Sequence, residues 1–290
     1  MHAPDRYAFP ALFAGAVLIG LAPIFLRWTD VGYTAAAFWR VALSVPVLFA
    51  LMLRKPATGG TPVLASLRWL WLAGIFFAGD LAVWHQSVRY TSVANATLLA
   101  NLAPIFVTAA AFVLFREKIR AGFLAGLALA LAGSATLVVR SAGLSESSVW
   151  GDLCGIAAAV FYAGYQLSVS RLRRTTAVLP LMAWSSLATA VVLLPLVLVL
   201  GEPLWPQSLQ GWAVLLGMAL LSHCAGQGLI AYGMAHVSAA MSSVSLLVQP
   251  VAAALFAWLL LAEPLGVQQA IGGAVVLAGI VICRQSASSR

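Results

Sequence analysis

Charge is what this chain has least of. Only 8% of its 290 residues are charged, 8 Asp+Glu against 16 Lys+Arg, where a soluble domain carries roughly a quarter. That is too little charge to coat a water-facing surface, which excludes a soluble enzyme, a nucleic-acid-binding protein and a disordered chain. Cysteine is scarce too. The three, Cys154, Cys224 and Cys283, all fall in apolar stretches, and an odd set of such thiols argues against disulfides and a structural zinc site. The signatures of soluble chemistry are missing: no P-loop, no Gly-x-Gly-x-x-Gly behind a strand, no Cys-x-x-Cys, no His-Glu-x-x-His. An ATP-driven pump within this chain is thereby excluded, and the expectation is a non-enzyme without cofactor or metal.

What is present is apolar sequence: 62% of residues are hydrophobic and mean hydropathy is +0.99. Ten apolar stretches stand out, Phe9–Leu26, Thr34–Leu53, Leu67–Tyr90, Val93–Phe115, Phe123–Val139, Leu153–Val169, Leu179–Leu200, Trp212–His236, Ala239–Leu261 and Val267–Cys283. Spans of about 20 residues each consume most of the chain and leave only short loops. The stretches are apolar on every side, so they read as helices, not as the alternating strands of a barrel. The first reads as a span and not a signal peptide, because it lacks a small-residue cleavage site before a polar mature start. The predicted fold class is an all-α integral membrane protein of ten transmembrane helices.

Ten spans put both termini on one side. Twelve of the 16 basic residues fall there: Arg6, Arg54, Lys55, Arg68, Arg116, Lys118, Arg120, Arg171, Arg173, Arg174, Arg284 and Arg290. Arg27, Arg40, Arg89 and Arg140 do not. That bias predicts cytoplasmic termini in a bacterial-type inner membrane, so the basic charge is a topology signal. Trp28, Trp69, Trp71, Trp150, Trp205 and Trp212 sit near span ends, as an interfacial belt does, whereas Trp39, Trp84, Trp184 and Trp258 lie deeper.

Shifted by 146 residues, the chain matches itself: Pro104 falls on Pro250, Glu117 on Glu263, Gly126 on Gly272 and Gly133 on Gly279. Two units follow, residues 1–145 and 146–290, with five spans each. An odd number of spans inserts the second unit upside down, the inverted repeat of secondary transporters, with the substrate site near the midplane between halves.

The run Tyr90-Thr-Ser-Val-Ala-Asn-Ala, then Pro104-Ile-Phe-Val and Phe115-Arg-Glu-Lys, resembles the EamA-type repeat of the drug/metabolite transporter superfamily. So do Tyr232-Gly-Met-Ala, Pro250-Val, Leu261-Ala-Glu-Pro-Leu and Gly272-Gly-Ala in the second half. Arg40 also sits where members often carry an arginine in the second span. The second copy departs where His236-Val-Ser replaces Tyr-Thr-Ser. The resemblance implies an exporter of amino acids, aromatic ones included, or a carrier of nucleotide sugars or phosphorylated metabolites.

Polar residues inside the spans carry the functional argument. Arg40 in span two and Asp80 in span three lie at comparable depth, and each lone charge costs at least about 2.5–3.5 kcal/mol on insertion scales. Three readings stand: a fixed Arg40–Asp80 pair, a proton-linked or substrate-amine role for Asp80, or another partner such as His85. Thr97, Asn101, Pro104 and Thr108 form one helical stripe in span four, and Ser238, Ser242, Ser245 and Gln249 another in span nine. Tyr162 and Gln166, then His223 and Gln227, are spaced by four, and Trp84 and Ser87 accompany Asp80. Interhelical hydrogen bonds, about 0.6 kcal/mol each, account less simply for five polar stripes than one shared cavity does. The expected substrate-binding set is Asp80, Trp84, Asn101, Tyr162, Gln166, His223, Gln227, Ser242 and Ser245, with Pro104 and Pro250 as hinges. Gly122, Gly126 and Gly133 in span five and Gly272, Gly273 and Gly279 in span ten are expected to pack these spans together within one chain, a dimer contact being the alternative.

A membrane enzyme using Asp80, His85 and His223 is disfavoured, because Asp80 and His85, five apart, diverge on a helix. A channel fits a two-fold repeat less well than alternating access does. A phosphate carrier needs several cations in its cavity, and only Arg40 is deep. The reading is a secondary carrier of zwitterionic or neutral amphipathic substrates, with small molecules and the lipid bilayer as its partners.

Overall fold

The computed structural model describes residues 5–54, 63–91, 93–139 and 149–288. Lys55, Arg140 and Arg290, part of the charge bias, lie outside them. Among the described residues there is no strand. Nine helices there are long and apolar enough to cross a membrane, and a tenth, shorter apolar segment is Ala121–Leu137. In chain order they are α1 (Ala8–Trp28), α2 (Tyr33–Arg54), α3 (Ser66–Ser87), α4 (Ala96–Phe115), α5 (Ala121–Leu137), α6 (Val149–Leu172), α7 (Val178–Leu200), α8 (Leu209–Gly233), α9 (Ala239–Leu261) and α10 (Val267–Ala287).

Helix ends follow local chemistry. Gly201 closes α7 in the left-handed region at φ 63°, where the absence of a Cβ removes the usual penalty. Ser208 and Ser238 cap α8 and α9, their side chains accepting from the N–H of Gly211 at 2.9 Å and of Met241 at 3.3 Å. Arg116 (φ 52°) and Ala262 (φ 53°) take left-handed conformations at the ends of α4 and α9. They are 146 residues apart, so the repeat extends to an uncommon backbone conformation. After each, the N–H of Glu117 or Glu263 bonds back to the carbonyl of Ala111 or Ala257. Both carboxylates reach the other half: Glu117 accepts from the N–H of Ala239 at 3.2 Å, and Glu263 pairs with Arg27.

Packing repeats the same symmetry. α3 lies on α6 as α8 lies on α1, and α4 on α6 as α9 on α1, while α2–α7, α4–α9 and α5–α10 meet across the pseudo-two-fold axis.

Glu202, between α7 and α8, caps the start of α2. Its carboxylate accepts from the N–H of Thr34 at 2.8 Å, the N–H of Ala35 at 3.2 Å and the Thr34 hydroxyl at 3.0 Å. A carboxylate at a helix N-terminus satisfies orphan donors and complements the dipole. Glu202→Ala is expected to cost about 1–2 kcal/mol, read as a lower unfolding temperature in detergent, with Glu202→Gln losing less.

The deep tryptophans acquire distinct explanations. Trp39 donates its indole N–H to the Leu204 carbonyl at 2.7 Å and clusters with Trp205 and Trp212. Trp184 meets Phe49 edge-on, Trp258 is exposed on the bundle's surface, and Trp84 faces the cavity described next.

Candidate substrate cavity

Four helices are interrupted, α2 once at Leu43 and three others beside prolines where the halves meet. α1 breaks at Gly20 and Leu21, between Ala8–Ile19 and Ala22–Trp28. α4 breaks at Asn101 and Leu102, and α9 at Leu246 and Leu247. Pro23, Pro104 and Pro250 follow these breaks; a proline cannot donate to the carbonyl four residues back and its ring crowds that carbonyl. α8 is distorted differently, being wound as a π-helix over Met218–Gln227. With more than four residues per turn, nine residues make about two turns and bring Met218 and Gln227 to one side. On an α-helix they would oppose each other.

Around these irregularities lies a cavity of about 200 Å³. Its wall comes from α1 (Ile19, Gly20, Pro23, Leu26), α2 (Ala37, Arg40), α3 (Phe77, Asp80, Leu81, Trp84, His85), α4 (Thr97, Ala100, Asn101), α6 (Tyr162), α8 (Met218, Gln227) and α9 (Gln249, Pro250, Ala253). It occupies the half of the bundle toward the end of α1 and the start of α2. α5, α7 and α10 contribute nothing to it.

The charges in this wall do not bond each other. Among the described residues the ion pair within 4.0 Å is Arg27–Glu263; Arg40 and Asp80 form none. Arg40, 8% exposed, holds its guanidinium 5.9 Å from the Phe77 ring centroid, and its Nε has no hydrogen-bond partner among the described residues. Phe77 in turn stacks on Tyr165 (4.6 Å) and His223 (5.7 Å). The other polar groups are positioned by neighbours. Gln249 donates to the Tyr162 hydroxyl at 3.4 Å, Asn101 donates to Ser134 on α5 at 3.1 Å, and the Trp84 ring meets His85 edge-on at 5.0 Å.

Of the residues expected to bind substrate, the structure brings Asp80, Trp84, Asn101, Tyr162 and Gln227 to this one wall, together with Arg40 and Pro250. It does not bring Gln166, His223, Ser242 or Ser245 there. Gln166 is 2% exposed and Ser242 fully buried. His223 is occupied by Ser186, 2.7 Å away, and by the Phe77 ring. Ser245 donates to the carbonyl of Met241. The stripe in α9 presupposed an unbroken helix, and the break at Leu246–Leu247 separates its serines from Gln249. Pro104 is likewise buried on the far side of its break. Phe77 and the α1 residues went unread because apolar side chains in an apolar span carry no signal; the Gly20-x-x-Pro23 interruption was the one available clue.

A model of the EamA-like transporter family matches residues 7–139 and again residues 149–284. The chain belongs to the EamA-like transporter family. It is therefore an integral membrane protein of a transporter family, built from two repeats. An uncharacterized transporter of Archaeoglobus fulgidus is 24% identical, over 96% of each chain. A probable terminal-alkyne amino-acid exporter of Streptantibioticus cattleyicolor is 28% identical over 98% of this chain and 90% of that one. A pseudopaline exporter of Pseudomonas aeruginosa is 25% identical over 85% and 84%. A solved crystal structure superposes with a TM-score of 0.83 over 98% of both chains at 22% identity, which speaks for the fold alone.

Proposed function

We propose that this EamA-family protein is a secondary carrier of amino acids with sizeable side chains, working by alternating access through the cavity between its repeats. The observation that carries this reading is the pair of opposite charges that share a wall without bonding each other. A zwitterion offers a carboxylate to Arg40 and an ammonium to Asp80, so each buried charge gains a partner only when substrate is present. Trp84, Tyr162 and Phe77 supply aromatic surface for an apolar side chain, and Asn101, Gln227 and Gln249 supply hydrogen bonds that release readily. The amino-acid exporter among the relatives supports the same class. A nucleotide sugar or sugar phosphate finds one arginine in the wall, opposed by Asp80, where a phosphate group calls for several cations.

In this reading the protein acts as a monomer in a bacterial-type inner membrane with both termini cytoplasmic. The cavity half faces outward, no cofactor takes part, and export is driven by gradients. The test is counterflow in liposomes holding the purified protein without ATP. Labelled phenylalanine or leucine is expected to exchange. Phenylalanine amide, lacking the carboxylate, and N-acetylphenylalanine, lacking the ammonium, are expected to compete at least about 30-fold less well, the equivalent of losing one charged contact of about 2 kcal/mol. Flux of a sugar phosphate with none of any amino acid would overturn the reading.

A further inference from the structure

The packing of α3 on α6 builds a cationic site at the end of the bundle away from the cavity. A Cβ at Gly164 would lie 2.5 Å from the Phe76 ring, and one at Gly79 2.5 Å from the Phe161 ring. Each glycine therefore seats a phenylalanine of the other helix, and the two contacts fix the register. Seven residues along both helices from the Phe76–Gly164 contact stand Trp69 and Arg171. There the Arg171 guanidinium carbon is 5.4 Å from the centroid of the Trp69 ring, and that of Arg68 is 5.3 Å from the same ring. Cations at this range are attracted by the ring's quadrupole. Because both distances are measured to one ring, the two guanidinium carbons are at most about 11 Å apart. Arg68, Trp69 and Arg171 are all exposed.

The protein supplies no counter-charge to this pair. Among the described residues the ion pair is Arg27–Glu263, at the other end of the bundle. The described acids of the arginine end are Asp5 and Glu117, and both are engaged. Asp5 accepts from the Tyr232 hydroxyl and from the N–H of Tyr7, and Glu117 accepts from the N–H of Ala239. Nor does the repeat call for cations at this place. The 146-residue offset carries Arg68, Trp69 and Arg171 onto Val214, Leu215 and Phe25, so the mate of the site is wholly apolar.

We propose that Arg68, Trp69 and Arg171 bind the headgroup phosphate of an anionic phospholipid, whose acyl chains lie along the α3–α6 surface. A guanidinium held over an indole keeps its N–H donors for a bidentate contact with phosphate oxygens. Indoles sit at the headgroup level of a bilayer, and basic pockets between spanning helices take lipid headgroups. The apolar surface below the arginines favours a lipid over a free phosphate. Ile75 is seven residues from Arg68, and Val160 eleven from Arg171, so each shares a helix face with its arginine. Both point away from the core, 44% and 47% exposed. Charge favours an anionic lipid over a zwitterionic one, because a choline or ethanolamine would bring a cation to a place with no unengaged carboxylate among the described residues. Arg68 is twelve residues from Asp80, about 18 Å along α3, so the lipid bears on how firmly α3 and α6 hold together and not on substrate recognition.

The test is lipid binding to the full-length protein, delipidated in detergent and followed by native mass spectrometry and by unfolding temperature. Phosphatidylglycerol is compared with phosphatidylcholine of the same acyl chains and with soluble glycerol 3-phosphate. Phosphatidylglycerol is expected to bind about 10- to 30-fold more tightly than phosphatidylcholine and to raise the unfolding temperature. Glycerol 3-phosphate at equal concentration should do neither. Arg68→Gln with Arg171→Gln should abolish the preference between the two lipids. Arg54→Gln with Lys118→Gln, which removes equal charge from the same end, should keep it. Arg68→Lys with Arg171→Lys retains the charge and the insertion signal but loses the planar fork, and should keep part of the preference. The proposal falls if the two lipids bind wild-type protein alike, or if the Arg68 and Arg171 glutamine pair still prefers phosphatidylglycerol. It falls equally if the Arg54 and Lys118 pair loses the preference as fully. Glycerol 3-phosphate binding as tightly as the lipid would make this a site for a soluble phosphate and overturn the lipid. None of these measurements reads transport, so a protein that binds the lipid but moves no amino acid refutes the substrate reading and leaves this one standing.

Discussion

Replacing Asp80 with Asn or Arg40 with Gln is expected to lower amino-acid transport by about 30-fold to a few thousand-fold each, while leaving the protein folded and inserted. The magnitude follows from truncating one side of a desolvated charge contact, about 2–5 kcal/mol, at about 1.4 kcal/mol per tenfold. The direction of the stability effect separates this reading from a fixed ion pair. If Arg40 and Asp80 bonded each other, removing one would strand its partner and cost about 3–5 kcal/mol of stability. Because no contact within 4.0 Å joins them, each substitution instead removes a charge that already pays its own insertion cost, so thermal stability should hold or rise. Specificity gives the sharper readout. Asp80→Asn should lose its discrimination against the N-acetylated substrate and Arg40→Gln its discrimination against the amide. A double variant more active than either single one would restore the fixed pair and defeat the assignment.

Legibility in the sequence followed the physics of each signal. The spans were readable because a bilayer imposes length and uniform apolarity together, and the ten stretches fall on the ten helices. The repeat was readable from prolines, glutamates and glycines because each does a backbone or capping task that other residues perform poorly. Arg116 and Ala262 repeat just as faithfully in conformation, but an arginine and an alanine share no chemistry, so no comparison of letters finds them. The cavity was half readable. Asp80, Trp84, Asn101, Tyr162 and Gln227 reach it because polar groups in spans seek one another or a wet space. Gln166, His223 and Ser242 are polar in the same way yet lie buried away from the cavity, and one sequence carries no mark of which polar groups the packing will enclose. The π-wound turn at Met218–Gln227 has no proline to announce it, and its effect on which side chains face inward appears only in three dimensions.

Gly133→Leu is expected to be among the most destabilising single changes in the molecule, and to act without touching the Arg40 and Asp80 charges in the cavity wall. A Cβ at Gly133 would lie 2.6 Å from the Val276 nitrogen and 2.8 Å from the Gly272 carbonyl oxygen; one at Gly272 would lie 2.9 Å from the Gly133 carbonyl oxygen. The mate of this contact under the 146-residue offset is Gly126 against Gly279, where the two Cβ positions meet the opposing carbonyl oxygens at 2.8 and 2.6 Å. At all four sites the obstacle is backbone, which cannot swing aside, so α5 and α10 must separate along their length. Overpacking of this kind costs about 1–3 kcal/mol and sometimes more, and lipid supplies no hydrophobic force to press the helices back together. Gly228 is the control, since nothing lies within 4 Å of its Cβ position. Gly228→Ala should be neutral or stabilising by up to about 1 kcal/mol on helix propensity. Unfolding temperature in detergent reads both. Neither α5 nor α10 lines the cavity, although Ser134, beside Gly133, accepts from the wall residue Asn101, so whatever Gly133→Leu protein survives should change its KM no more than Asn101→Ala does. A raised KM with unchanged stability would mean that this helix pair moves with the cavity wall and is not the rigid frame against which the wall moves.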